Sequence, residues 1–452
     1  MDIANTWSTR IGFLLASIGA SVGLGNIWKF PYVAGTNGGA SFVIIYILCA
    51  LVIATPILIC ELIIGRRSRV NPVSSISYIA NEEKISRSWG IFGGLGALSG
   101  FIIVSFYSVI AGWALAYSLK AFAGSFSGLT SQSSKLIFNQ LLSNPVTLTF
   151  WHTIFLLMTT YILSRKISSG IERAAKLLIP ALALILLMLS GYALLVGDSA
   201  AAMRFLFSFN TEDINGHTFI IASGQAFFSI GVAMGLMMAY GAYLPKKISI
   251  GQSALIITAA DTLFAIVAGL AIFPLVFASQ LDPSSGPGLI FESLPIAFSK
   301  IPYGNVFGAL FFILLVFAAL TSALGLLEPT VSYLTEKHHI DRSLAASLSG
   351  IAAWTLGLGT VLSFNRLDSF FPLEIIPSLK QMPIFELLDH LTSNLLMPIT
   401  AVGISVFCAW RIKKQNLMDE LPTKRGIAFD LWYFSARYLA PATIILFLLI
   451  GL

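Results

Sequence analysis

Charged residues are scarce in this sequence: Asp, Glu, Lys and Arg together make up 11% of its 452 residues. Soluble domains carry about 25%, so the scarcity excludes most soluble enzymes. Hydrophobic residues account for 56%, which excludes a disordered chain. The composition predicts a polytopic membrane protein.

Cysteine and the motifs of soluble catalysis are also rare or missing. Cys49, Cys60 and Cys408 lie within apolar stretches, which argues against a disulfide framework. No Gly-Lys dipeptide occurs, so there is no Walker phosphate loop, and the five histidines lack the spacing of metal ligands. Neither paired acids nor a nucleophile beside a base is evident, and we predict that the chain is not an enzyme.

Long apolar stretches are what the sequence has instead. A helix that spans a bilayer needs about 20 mostly apolar residues. Eleven candidate spans are present, of which the fourth is the shortest: 11–34, 40–65, 88–119, 150–164, 176–196, 218–243, 250–278, 305–334, 343–363, 388–410 and 428–451. Residues 279–304 contain four prolines, which predicts a loop with short helical turns.

The positions of the basic residues predict the orientation. With the N-terminus in the cytoplasm, nineteen of the 27 Lys and Arg residues fall on the cytoplasmic side and six on the other, as the positive-inside rule requires. The net charge of +6 therefore reflects topology and not a nucleic-acid partner. We predict a plasma-membrane protein with an external C-terminus. Below, the inner end of a helix is its predicted cytoplasmic end.

Glycines interrupt two of the spans. They are Gly19, Gly23 and Gly25 in the first span and Gly224, Gly231 and Gly235 in the sixth. Each costs a helix about 1 kcal/mol relative to alanine. Two broken helices five spans apart are typical of transporters built from two repeats, although close helix packing is an alternative explanation. Freed carbonyls can bind a cation and helix N-termini a carboxylate, so the breaks favour a zwitterion carried together with a cation.

Four motifs resemble the neurotransmitter:sodium symporter family. Their order along the chain is Trp7-Ser-Thr-Arg10 with Gly23-Leu-Gly25-Asn26, then Asn37-Gly-Gly-Ala-Ser-Phe42, Glu61-Leu-Ile-Ile-Gly65-Arg66 and Gly286-Pro-Gly-Leu-Ile-Phe291. The likeness extends from Trp7 to about the tenth span. It implies uptake of an amino acid coupled to sodium, within an all-α leucine-transporter fold. A single domain over 1–452 would then contain two inverted five-helix repeats, about 7–197 and 218–411, and an eleventh helix at about 428–451.

The resemblance also implies two sodium sites. The first would use the Ser21 carbonyl, the Asn26 amide, Ser229 and Asp261, where many relatives have asparagine. A carboxylate at the centre of a span costs about 2.5–3.5 kcal/mol, so Asp261 should have a partner; a protonated or snorkelling Asp is the alternative. Chloride-dependent relatives complete this region with an anion, so Asp261 predicts transport without chloride. The second site would take carbonyls of Gly19, Val22 and Ala318 and hydroxyls of Thr321 and Ser322.

An amino-acid pocket between the two breaks follows from the same resemblance. The N–H groups of Leu24 and Gly25 and the Tyr107 hydroxyl would hold the carboxylate, and the carbonyls of Ser21, Phe228 and Ser229 the ammonium. The substrate side chain would face Ile103, Tyr107, Phe228, Gly231, Met234, Ser322 and Leu326. Gly231 and Met234 stand where a leucine-selective relative has serine and phenylalanine. We therefore expect a hydrophobic L-amino acid, either aliphatic or aromatic.

Gates are implied on the outer side of this pocket. Lys29 and Asp389 occupy the places of an Arg–Asp pair, and lysine lacks the planar fork that arginine offers to a carboxylate. Tyr107 and Phe228 would form an aromatic lid below them. Glu61 is expected to cap backbone groups freed in the sixth span, with snorkelling as the alternative.

The inner gate departs from the family. Relatives place a basic residue where this chain has Ala4, whereas its acidic partner is present as Glu336. We predict that Trp7 closes the inner exit, with Arg10 as the charge partner. In the fifth span, Gly170 and Pro180 have the family spacing that permits local unwinding, which would release sodium from the second site.

Two other functions compete with a symporter. A passive channel would need a filter segment or rings of charge, and none is evident. A receptor or scaffold on the same fold is opposed by the intact residues Asn26, Asp261, Thr321 and Ser322. The predicted partners are an amino acid, sodium ions and the lipid bilayer. The sequence leaves the oligomeric state open.

Overall fold

The computed structural model describes residues 6–209, 216–284, 288–376, 379–421 and 426–451. Within these ranges all regular structure is helical. The first half contains α1 (Arg10–Ser21), α2 (Gly25–Thr36), α3 (Ala40–Ser68), α4 (Pro72–Glu82), α5 (Arg87–Phe122), α6 (Ser131–Leu142), α7 (Pro145–Leu163), α8 (Ile171–Val196) and α9 (Ser199–Phe207). The second half contains α10 (Gly216–Ile230), α11 (Leu236–Ala242), α12 (Ile250–Ala278), α13 (Leu289–Ser299), α14 (Gly304–Lys337), α15 (Arg342–Ser363), α16 (Ile384–Arg411), α17 (Lys414–Glu420) and α18 (Ile427–Leu449).

Most predicted spans are present with shifted ends. Among the described residues, nine helices are long and apolar enough to cross a membrane, and α1 with α2, bent by 49°, makes a tenth. The predicted sixth span is divided between α10 and α11. The fourth begins at Pro145, behind the Asn144 cap, because proline and an N-cap start a helix that apolar content alone places later.

The first break separates α1 from α2. Val22, after the last residue of α1, has an extended backbone with φ −71° and ψ 95°. A turn of π-helix, Gly25–Lys29, then opens α2. The predicted interruption at these glycines is confirmed, and it leaves carbonyls at the end of α1 without helical partners.

The second break follows Ile230 and has three residues with positive φ: Gly231 (73°), Ala233 (65°) and Gly235 (75°). Positive φ costs a residue with a side chain about 1–2 kcal/mol, so Ala233 needs support. The carboxylate of Glu61, fully buried on α3, accepts the Ala233 N–H. The predicted capping role of Glu61 is thereby confirmed, and the snorkelling alternative is excluded.

The two breaks lie side by side in the middle of the helix bundle. The Ser21 hydroxyl donates to the Ile230 carbonyl at 2.8 Å, and the Gln225 amide donates to the Gly25 carbonyl at 2.8 Å. Helices α3, α5, α12 and α14 surround them. Unpaired backbone groups at membrane depth require partners inside the protein, and these contacts supply two of them.

Candidate functional site

Asp261 lies near the middle of α12 and is fully buried. Its carboxylate accepts hydrogen bonds from the Asn26 amide at 2.8 Å and from the Ser229 hydroxyl at 2.7 Å. Three predicted ligands of the first sodium site therefore converge. Because Asp261 is enclosed between the two broken helices, the expectation of a partner is confirmed and a snorkelling side chain is excluded.

Tyr46 completes this cluster and was missed by the sequence analysis. Its hydroxyl lies 3.0 Å from an Asp261 carboxylate oxygen and 3.0 Å from the Ser229 hydroxyl. In the sequence, Tyr46 is one aromatic residue in an apolar helix, and nothing distinguishes it from ordinary packing.

The cluster contains the oxygen donors that a hard cation such as sodium prefers. Asn26 directs its amide nitrogen at Asp261 and Ser229, while its amide oxygen accepts the Gly23 N–H at 3.0 Å. Amide nitrogen and oxygen exchange places when the group turns by half a rotation. That rotation would present oxygen to the cluster and give up the hydrogen bond from Gly23. Together with the carboxylate and hydroxyl oxygens, the residues then fit a sodium ion. Ser21, the fourth predicted member, borders the same break.

A second cluster joins α1 to α14. The Ser322 hydroxyl donates to the Gly19 carbonyl at 3.3 Å, which brings together two predicted ligands of the second sodium site. Thr321 bonds back to its own helix, at 3.1 Å from the carbonyls of Phe317 and Ala318. This local bonding is the ordinary behaviour of threonine in a helix. Val22, the remaining member, stands at the break itself.

A small cavity with a volume of about 20 Å³ lies between the breaks. Nine predicted pocket residues line it: Ser21, Gly25, Ile103, Tyr107, Phe228, Gly231, Met234, Ser322 and Leu326. Ala20, Gly23 and Leu236 also line it and were not predicted. Leu24 takes part through its N–H, which donates to the Tyr107 hydroxyl at 3.1 Å, and Ser229 faces Asp261 instead. The cavity has room for about one water molecule, so an amino acid requires side chains to move.

An outer vestibule of about 300 Å³ lies above this cavity. Gly25, Tyr107 and Phe228 line both spaces and therefore separate them, as expected of a lid. The predicted ion pair is not present: Lys29 Nζ lies 4.5 Å above the centroid of the Phe228 ring, while Asp389 accepts from the Ser393 hydroxyl at 3.1 Å. The ammonium of lysine is attracted to the face of an aromatic ring. It lacks the planar fork with which arginine pairs with a carboxylate.

At the inner end, Trp7 is 2% exposed and its indole N–H donates to the Tyr240 carbonyl at 3.0 Å. This burial agrees with a plug. The predicted pairing of Arg10 is wrong: Arg10 is exposed and contacts Gln252 at 3.4 Å. Glu336 instead accepts from the backbone and side chain of Asn71 at 2.7 and 3.0 Å, because Asn71, the cap of α4, packs beside the end of α14. Ala4 lies outside the described residues.

A buried ion pair near the inner end was also missed. Arg342 contacts both carboxylate oxygens of Glu328, at 3.0 and 2.6 Å, and the Tyr243 hydroxyl donates to Glu328 at 2.9 Å. Glu328 is fully buried. The sequence does show an acidic residue, Glu328, inside the apolar eighth span. Its position alone does not identify Arg342 as the partner.

The predicted unwinding region of the fifth span is helical in this structure. Gly170 precedes α8 as its N-cap, with φ −100° and ψ −92°. Pro180 lies inside the helix, which continues to Val196. The unwinding predicted between Gly170 and Pro180 is absent from this structure. It stays a prediction about another conformation of the protein.

Comparisons with known proteins extend these observations. The model of the sodium:neurotransmitter symporter family matches residues 4–134 and 132–452. An uncharacterized sodium-dependent transporter of Bacillus subtilis is 35% identical over 451 residues, covering 99% of this chain and 98% of the relative. The bovine sodium-dependent dopamine transporter is 26% identical, covering 81% and 60%. A crystal structure of MhsT in complex with L-phenylalanine matches with a TM-score of 0.90 and 36% identity, over 99% of this chain and 100% of that one.

Proposed function

The chain belongs to the sodium:neurotransmitter symporter family, and from this we propose that it imports hydrophobic L-amino acids together with sodium. Members of the family are transporters, which confirms that the chain is not an enzyme. The all-helical leucine-transporter fold is likewise confirmed. The protein is a multi-pass membrane protein of the sodium-dependent class.

The composition of the central cavity carries the proposal on substrate. Its apolar walls include Ile103, Phe228, Met234 and Leu326, and its polar side is made of backbone groups at the breaks with the Tyr107 hydroxyl. This division suits a zwitterion with a hydrophobic side chain. MhsT, similar over its whole length, binds L-phenylalanine. Unbranched Met234 and the absence of a side chain at Gly231 leave room for movement toward a larger substrate.

Two sodium ions are proposed as the driving cargo. The first ion would bind between the side chains of Asn26, Ser229 and Asp261 and the Ser21 carbonyl. The second would bind between α1 and α14. Its ligands would be the carbonyls of Gly19, Val22 and Ala318 and the hydroxyls of Thr321 and Ser322. Asp261 places a fixed carboxylate in the first site, and for this reason we propose that chloride is not required.

We further propose that this multi-pass chain lies in the plasma membrane with its N-terminus in the cytoplasm and its C-terminus outside. Two inverted repeats, about 7–197 and 218–411, would rock around the central cavity between outward and inward states. The charge distribution of the loops supports the orientation.

Uptake into proteoliposomes tests the function. Radiolabelled tryptophan, phenylalanine and leucine should accumulate with external sodium and not with potassium, while glycine serves as a control substrate. Replacing chloride by gluconate should leave the rate unchanged. Accumulation of glycine but of no hydrophobic amino acid would refute the substrate class. Sodium that protects the protein from thermal unfolding without any uptake would favour a non-transporting relative.

A further inference from the structure

A buried carboxylate holds the inner end of α1. Glu172, in the first turn of α8, is fully buried. It accepts the Ser8 N–H at 2.9 Å, the Ser8 hydroxyl, and the Thr9 hydroxyl at 3.3 Å. Thr9 is the N-cap of α1, so Glu172 stands at the N-terminus of that helix. N–H groups there lack helical partners, and the helix dipole favours a negative charge.

Helices α1 and α8 also pack closely at two glycines of α1, which are seven residues apart. A Cβ on Gly12 would overlap the Glu172 carboxylate, and a Cβ on Gly19 would lie 2.6 Å from Cδ1 of Ile179. Glu172 and Ile179 are seven residues apart as well, which is about two helical turns. The carbonyl of Gly19 contacts Ser322. The contact between the helices therefore extends from Glu172 to the proposed second sodium site.

We propose that Glu172 is the inner latch of the transporter, which holds α1 against α8 while the inner exit is closed. This inference rests on the proposed function. Neither Arg10 nor Glu336 makes such a contact, since their partners are Gln252 and Asn71. The predicted unwinding of α8 after Gly170 would carry Glu172 away from Ser8, and the latch would then open together with access to the second sodium site. Glu172 is a positioning residue, and Lys176, 2.7 Å from its carboxylate, balances its charge.

Hydrogen–deuterium exchange of the purified full chain in nanodiscs tests the latch. With sodium present, Glu172→Gln should raise amide exchange in residues 8–21 about tenfold, the size expected for losing one hydrogen bond to a charged acceptor. The sodium concentration giving half-maximal protection of this segment should also rise about tenfold. Exchange across α15 serves as the internal reference for folding. Glu82→Gln, which alters a partly exposed carboxylate 3.2 Å from Arg67, is the matched control and should change neither quantity.

A second pair of variants separates the latch from simple packing. Gly12→Ala displaces the Glu172 carboxylate and should reproduce the effect of Glu172→Gln. In a Glu172→Ala background, where the overlap is gone, Gly12→Ala should add nothing. Equal acceleration in both backgrounds would overturn the proposal, as would unaltered exchange and sodium protection in Glu172→Gln. Absence of sodium protection in the unmodified protein would instead contradict sodium coupling itself.

Discussion

The charge of Asp261 should set the sodium affinity, and Asp261→Asn removes it with almost no change in shape. A unit charge about 4 Å from a sodium ion contributes about 4 kcal/mol at an effective dielectric constant of 20. The ion must displace the hydrogen bond from Asn26, which lies 2.8 Å from the carboxylate. In Asp261→Asn this hydrogen bond has a neutral acceptor and is about 1 kcal/mol weaker. The ion therefore displaces it more easily, which offsets about 1 kcal/mol of the lost attraction. The net loss of about 3 kcal/mol corresponds to about a hundredfold weaker sodium binding.

The assay is a sodium titration of radiolabelled phenylalanine binding to purified protein, with chloride or gluconate as the anion. For Asp261→Asn we expect the half-saturating sodium concentration to rise about a hundredfold in gluconate and to fall again when chloride is added. Asp341→Asn is the matched control, because Asp341 caps α15 at the inner surface and asparagine caps a helix equally well. Sodium dependence identical to that of the unmodified protein in chloride-free buffer would refute the reasoning.

Three further predictions concern the pocket, the lid and the buried ion pair. Gly231→Ser, at φ 73°, costs about 1–2 kcal/mol of strain and fills the pocket, so the KM for tryptophan should rise at least tenfold while that for leucine changes less. Lys29→Gln removes a cation–π contact of about 0.5–2 kcal/mol, and substrate dissociation measured after dilution should accelerate about two- to thirtyfold. Asp389→Asn, which leaves this cation–π contact in place, should have a smaller effect. Arg342→Gln leaves Glu328 without its cation and should destabilise the protein by about 3–5 kcal/mol, measured as a lower Tm in nanodiscs. The double variant with Glu328→Gln should recover most of the lost stability. An unchanged Tm in the single variant would contradict the prediction.

The parts of the site that sequence could predict are those in which a residue type is itself the evidence. Glycines at 19–25 and 231–235 indicate broken helices because glycine is costly in a helix, and Gly231 and Gly235 also adopt the positive φ that glycine tolerates. A single carboxylate such as Asp261 in an apolar span predicts a buried partner for it. The resemblance then supplied most of the cavity residues.

The parts that could not be predicted depend on contacts between distant segments. Glu172 and Ser8 are separated by 164 positions, and neither is unusual where it stands, since Glu172 begins a helix and Ser8 precedes one. Lys29 and Asp389 both line the vestibule as predicted, but the Lys29 ammonium lies over the Phe228 ring instead of forming a direct ion pair, because position in the sequence does not distinguish these two partners. Choosing between them requires the shape of the vestibule.

The distribution of buried charge explains why, among the fully buried carboxylates, Asp261 is the one at which a cation would bind. In the spans that the structure describes, four carboxylates are fully buried: Glu61, Glu172, Asp261 and Glu328. Glu172 and Glu328 already have Lys176 and Arg342 as ion-pair partners, so an added cation would face an existing positive charge.

Glu61 and Asp261 both accept from neutral groups, but the groups differ in kind. The donors to Glu61 are backbone N–H groups, those of Ala233 and Met238, which cannot present an oxygen to an ion. Asp261 is surrounded by the Ser229 and Tyr46 hydroxyls and by an amide that can rotate. Each of these can turn from donor to ligand without moving the backbone. Asp261 therefore combines a buried carboxyl group that has no ion-pair partner with neighbours that can reverse their polarity, and both features favour a sodium ion entering there.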